Sequence, residues 1–137
     1  MSKPIPSIQK FMTTSPHTIG EEQTMALAHR MMHDNGIRHL PVLRNHKVVG
    51  LVSDRDLHFV EALKDVDPKV IKVSEAMSQD PYVVSPETPL DEVVAMMASN
   101  KLGSAIVAQN EHVVGIFTTV DACWAFAEML YTRLGKS

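Results

Sequence analysis

The feature that most constrains this chain is an internal duplication. Residues 48–56 read VVGLVSDRD and residues 113–121 read VVGIFTTVD, 65 positions later. Sliding the chain over itself by 65 without a gap also matches Met12 with Met77, Pro16 with Pro81, and Glu22 with Glu87. Met31 and Met32 meet Met96 and Met97, Asn35 meets Asn100, Val42 meets Val107, and Asn45 meets Asn110. Gly50 meets Gly115 and Asp56 meets Asp121. A gapless register held from Met12 to Asp121 makes the chain two copies of one unit. Each copy has about 60 residues, a size that is marginal alone because too little surface is buried. The copies are therefore expected to share a core.

Hydrophobic spacing gives each copy the same order of elements. Met1 to Lys3 is expected to be a frayed end, and 4–12 has helix-like apolar spacing at Ile5, Ile8 and Phe11. Residues 17–19 and 82–84 read as short extended pieces. A helix is predicted over 22–35, with Met25, Leu27, Ala28, Met31 and Met32 at three- and four-residue spacing and a stop at Asn35-Gly36. Strands are predicted over 38–43 and 47–53, joined by a hairpin turn at Asn45-His46, and a second helix over 54–64. The second copy repeats this with a helix over 90–100, strands over 104–108 and 112–118, and a longer helix over 120–134. Thr88 is expected to cap the helix at 90–100, with Pro89 at its first position. The repeats span 8–64 and 73–134, with 65–72 as a linker interrupted by Asp67-Pro68.

Composition narrows the function classes. The 137 residues are 45% hydrophobic and 21% charged, ordinary values for a globular protein, with a net charge of -3. That balance offers no electrostatic case for a nucleic-acid or membrane partner. Cys123 is the only cysteine, which excludes an internal disulfide and a cysteine-based zinc site. A buried, inert thiol is the expectation for it. No apolar run approaches a membrane span, and the start lacks the pattern of a signal peptide. A cytoplasmic location follows as the expectation. His29 and His33 stand four apart on a predicted helix, but no third ligand is evident, so they read as a solvated face rather than a metal site. No nucleophile sits beside an activating histidine, and no acid/base pair is formed, so no catalytic residues are assigned.

The chemistry-bearing element is the strand-to-helix junction, Ser53-x-x-Asp56 in one copy and Thr118-x-x-Asp121 in the other. Two readings stand side by side. Free N–H groups and the helix dipole can receive a phosphate, while the carboxylate one turn inside can accept from ribose hydroxyls. The same spacing also builds a capping box, in which the acid satisfies the N–H of the cap residue. Gly50 and Gly115 permit close packing or close approach of a ligand.

Taken in order, three features resemble the CBS domain, the repeat named after cystathionine β-synthase. They are the Met-x-x-x-Pro opening of each copy, the run Ile37-Arg38-His39-Leu40-Pro41-Val42, and the Gly-x-x-[Ser/Thr]-x-x-Asp elements at 50–56 and 115–121. The resemblance covers 8–134 and implies a stand-alone tandem pair, or Bateman module. It implies an α+β fold of two β-α-β-β-α repeats around a pseudo-twofold axis, with small sheets flanked by helices. It also implies a non-enzymatic regulatory module that binds AMP, ADP or ATP in composite clefts, with S-adenosylmethionine or NAD as second choices. Carried over residue by residue, Thr118 and Asp121 would face His17, Thr18, Ile37, Arg38, His39 and Pro41. Ser53, Arg55 and Asp56 would face Tyr82, Val83, Leu102, Gly103 and Ser104. The first cleft has Arg38 and His39 to neutralise phosphate. The second has only Arg55, and it departs from the pattern in placing Ile106 where the first copy has Pro41. Such pairs dimerise into a flat disk through their helices, and the apolar run Cys123, Trp124, Phe126, Met129 and Leu130 fits that role. A homodimer and a regulated partner protein are thus implied. The alternative is a structural dimerisation or scaffold module that binds no ligand.

Overall fold

The computed structural model describes residues 4–134. The frayed start expected over Met1 to Lys3 lies outside them. In chain order the elements are a one-turn 3-10 helix (Ile8–Lys10), β1 (Thr13–Thr14), β2 (Ile19–Gly20), α1 (Met25–Asn35), β3 (His39–Arg44) and β4 (Lys47–Ser53). There follow α2 (Asp54–Ala62), α3 (Val73–Ala76), β5 (Val83–Val84), α4 (Leu90–Asn100), β6 (Ser104–Gln109), β7 (His112–Thr118) and α5 (Thr119–Arg133). The chain forms two compact units. One takes Pro16–Pro81; the other takes the described residues of Met1–Ser15 and Tyr82–Ser137. The opening segment of each repeat therefore belongs to the compact unit of the other.

Within the Pro16–Pro81 unit, β2 pairs parallel with β3 across the α1 crossover, and β3 pairs antiparallel with β4. The hairpin turns at Asn45 and His46, both at positive φ (51° and 68°), the sense that matches strand twist. A bulge falls between Val42 and Leu43. In the other unit β5, β6 and β7 repeat this, with the turn at Asn110 and Glu111 and the bulge between Val107 and Ala108. There β1 adds a fourth strand, pairing Thr13 with Ile116. Its counterpart is a bridge between Leu51 and Ser78, with both backbone bonds at 3.0 Å or less.

Packing explains the repeated glycines. A Cβ on Gly50 would lie 2.7 Å from the Ser78 carbonyl and against the Met77 side chain; one on Gly115 would lie 3.0 Å from the Thr13 carbonyl and against Met12. The Met-x-x-x-Pro opening and the strand glycine are thus two halves of one contact, which settles the glycine reading in favour of close packing. Helix ends follow local chemistry. Thr24 caps α1 by accepting from the Leu27 N–H at 3.2 Å, so the helix begins three residues later than predicted. Gly36 ends it at φ 61°. The equivalent cap of α4 is Lys101, at φ 56°. Thr88 does not cap α4: Pro89 holds the cap position, and the Thr88 hydroxyl meets Ser85 at 3.0 Å. The helical spacing over 4–12 yields only the single 3-10 turn, with Ile8 buried.

Buried apolar side chains form two clusters rather than the single shared core expected. One gathers Met25, Met32, Leu40, Val42, Val52 and Val73; the other gathers Ile8, Val93, Met97, Val107 and Phe117. Each is completed by an exchanged opening segment, Val73 in one and Ile8 in the other. That recruitment raises the apolar area a small unit can bury, at about 25 cal/mol per Å². On α5 only Ala125 is buried. Cys123 is exposed, against the expectation of a buried thiol, because it does not share the face of Ala125. Among the described residues no helix is long and apolar enough to cross a membrane.

Candidate functional site

Each unit brings its own second-strand start beside its own strand-to-helix junction. In the Pro16–Pro81 unit, His39 stands opposite Ser53 in the ladder, and the Asp54 N–H donates to the Arg38 carbonyl at 2.9 Å. Ser53 and Asp56 form a full capping box. The Asp56 carboxylate accepts from the Ser53 N–H at 2.8 Å and from its hydroxyl at 3.0 Å, while the Asp56 N–H donates to that hydroxyl at 3.3 Å. Burial pushes the His39 imidazole below its ordinary pKa, and the Arg38 charge adds to this, against the opposing pull of Asp54 and Asp56. Arg38 and Arg55 are exposed, and Ile37 packs against the core. Pro41 is fully buried, and His17 and Thr18 lie just ahead of β2, exposed and half-buried respectively.

The other unit has the same frame with different chemistry. Ser104 stands opposite Thr118, and the Thr119 N–H donates to the Gly103 carbonyl at 3.2 Å. Asp121 accepts from the Thr118 N–H at 2.9 Å and from its hydroxyl at 3.3 Å. It also accepts from the Thr13 hydroxyl at 3.2 Å, a contact that sequence reasoning missed because Thr13 belongs to the exchanged opening segment. Ser104 is buried, and its hydroxyl has no hydrogen-bond partner among the described residues. An unpaired buried hydroxyl is costly unless something else satisfies it. Leu102 and Tyr82 pack against the core, and burial raises the Tyr82 phenol, with Glu92 adding to the shift. Val83 is exposed.

The residues therefore group by unit: Arg38, His39, Ser53 and Asp56 in one, Gly103, Ser104, Thr118 and Asp121 in the other. The crosswise partners implied by the family resemblance belong to different units. Both aspartates accept from the N–H of the cap residue, Ser53 or Thr118, as the capping-box reading of the spacing expects. Asp56 Oδ1 is not used in the bonds to Ser53, which leaves that oxygen able to accept from another donor. Among the described residues no three histidine, cysteine or acidic side chains are placed to hold a metal ion.

Comparison with known proteins shows the family and the fold. The profile of the CBS domain matches residues 2–61 and 73–128. The chain is 28% identical over 134 residues to an inosine-5'-monophosphate dehydrogenase of Korarchaeum cryptofilum, covering 97% of this chain but 27% of that enzyme's length. An acetoin utilization protein, AcuB, of Vibrio cholerae superposes with a TM-score of 0.85 at 27% identity, covering 98% of this chain and 99% of that one. Two more distant structures show the fold alone. The CBS domain pair of MJ0100, in complex with 5-methylthioadenosine and S-adenosyl-L-methionine, has a TM-score of 0.84 at 22% identity, covering 92% and 99% of the two chains. CBSX2, in complex with AMP, has a TM-score of 0.81 at 21% identity, covering 90% and 97%.

Proposed function

The chain belongs to the CBS-domain family, and from that premise we propose that it is a non-enzymatic regulatory module that binds an adenosine nucleotide at its strand-to-helix junctions. The observation that carries the reading is the Ser104 hydroxyl, buried without a partner among the described residues and directly across the ladder from Thr118 and the start of α5. A ligand hydroxyl or ring nitrogen would satisfy it. Asp56 and Asp121 suit ribose hydroxyls, as acceptors already oriented by their caps. Arg38 and His39 suit phosphate, since a guanidinium matches its oxygens in pairs. The ligands of MJ0100 and CBSX2 share an adenosine moiety, which supports AMP, ADP or ATP here, with S-adenosylmethionine or NAD behind them.

Signalling requires that the ligand favour one of two conformations, since equal affinity for both shifts nothing. The exposed apolar residues of α5, among them Val120, Trp124 and Tyr131, suit burial against a second copy in a homodimer. The second reading is a structural module that binds no ligand. It is favoured by one observation, that both aspartates already serve as caps. A thermal-shift screen with AMP, ADP, ATP, S-adenosylmethionine and NAD separates the two. A ligand that binds only the folded state raises Tm. A rise with at least one adenosine ligand is expected; no rise with any of them favours the structural module.

A further inference from the structure

A cavity of about 400 Å³ lies within the Pro16–Pro81 unit, lined by α1, the Gly36–Arg38 connection and α2. Its polar lining is His29 and His33 from α1, Arg38 from the connection, and Asp54, His58 and Glu61 from α2. The volume falls in the range of small-molecule sites. The buried side chains of Met32 and Leu57 also line it and form its apolar floor. The duplication supplies an internal control. Shifted by 65, the six polar positions become Val94, Ala98, Gly103, Thr119, Cys123 and Phe126. The second copy keeps the helices and loses every charge and every imidazole. Helix packing alone therefore does not call for the polar set.

The two carboxylates are already answered. Glu61 meets His29 Nδ1 at 2.7 Å, and Asp54 lies 3.6 Å from His58 Nε2. Arg38 has no ion-pair partner among the described residues. The lining carries one net negative charge with neutral imidazoles and two net positive charges with all three protonated. Beyond the lining, Asp34 meets His33 at 3.5 Å, and His39 feels the charges of Arg38, Asp54 and Asp56. Histidine is the side chain whose charge changes between about pH 5 and 8.

We propose that this cavity is a proton-linked phosphate site confined to the first copy. Arg38 holds the phosphate group, and His33 and His58 add charge-assisted hydrogen bonds as they gain protons. Affinity therefore rises on acidification. The inference shares Arg38 with the nucleotide reading but does not depend on recognition of adenosine. Sulfate is the suitable probe, because it stays a dianion across the whole range and leaves the protein as the only titrating partner. Its affinity is measured by NMR titration at pH 6 and pH 8 on the full chain. A phosphate-like anion that raises one ordinary imidazole's pKa by one unit binds about sixfold tighter at pH 6 than at pH 8, tenfold being the limit. The expected result is that gain, abolished in the His33→Asn/His58→Asn variant, with Arg38→Gln losing sulfate at both pH values. His33 and His58 are exposed helix positions with side chains 81% and 72% accessible, so the double variant is expected to keep its fold. Equal sulfate affinity at both pH values, no sulfate binding, or a full pH dependence in the double variant overturns the proposal. A Tm rise with AMP alongside any of these outcomes leaves the nucleotide reading standing.

Discussion

The cross-strand pair Leu40 and Val52 in one unit corresponds to Ala105 and Phe117 in the other. All four side chains are buried. Where the first unit sets two medium side chains against each other, the second sets a small one against a large one. The backbone around them repeats, with turns, bulges and helix stops falling 65 residues apart. A fold of this kind fixes backbone geometry through few positions, such as Gly50 against Met77. It leaves interior volume to be divided differently within each facing pair. Polar content is freer still. The α1–α2 lining carries six ionisable groups where the α4–α5 positions carry Val94, Ala98, Gly103, Thr119, Cys123 and Phe126.

Breaking the core pairs gives the largest expected effects. Phe117→Ala leaves Ala105 facing a void and is expected to cost about 3–5 kcal/mol, against about 1–3 kcal/mol for Val52→Ala, both read from urea unfolding. Equal costs would mean that the two pairs are not packed as described. Gly50→Ala comes next. Its Cβ meets the Ser78 carbonyl, and overpacking of this kind costs about 1–3 kcal/mol. Gly115→Ala, whose backbone contact is the longer, is expected to cost less in the same assay. Ser53→Ala removes a helix cap and should lower stability by about 1 kcal/mol.

His39 sharpens the comparison through pH. Its folded pKa lies below 6.5, so the unfolded chain binds more protons as pH falls through that value. The stability it contributes is complete above pH 6.5 and is lost as pH falls through the folded pKa. Unfolding measured from pH 7.5 down to 5.5 should therefore show a shallower decline in His39→Gln than in the natural sequence. Ser104, the counterpart of His39, contributes no such slope. The smallest effect concerns the helix stops. Lys101 holds the left-handed conformation that Gly36 adopts without a Cβ, so Lys101→Gly should raise stability by up to about 1 kcal/mol.

Much of this was legible in the sequence for stated reasons. The duplication and the periodicity of Met25, Ala28 and Met32 gave the element order, and Gly36 and Asn45-His46 marked a stop and a turn where they occur. What escaped depends on tertiary placement. The start of α1 shifted because Thr24, rather than a residue nearer Gly20, satisfies the first free N–H groups. Thr88 lost its cap role to a partner in Ser85. The exchange of opening segments, and with it the Thr13 bond to Asp121, has no local signature. The α1–α2 cavity escaped because His29, His33, His58 and Glu61 are separated in sequence and meet only when two helices pack. At the junctions, the spacing of Ser53 and Asp56 carried both the cap and the ligand reading, and capping geometry alone does not choose between them.

The measurement closest to the central claim is calorimetric titration of AMP into the natural protein and into the Asp56→Asn and Asp121→Asn variants, each first shown to unfold cooperatively. The account predicts saturable binding to the natural protein and a loss of at least about tenfold in affinity on Asp121→Asn. Absence of binding to a folded natural protein, or equal affinity in all three, would contradict it and leave the two aspartates as helix caps.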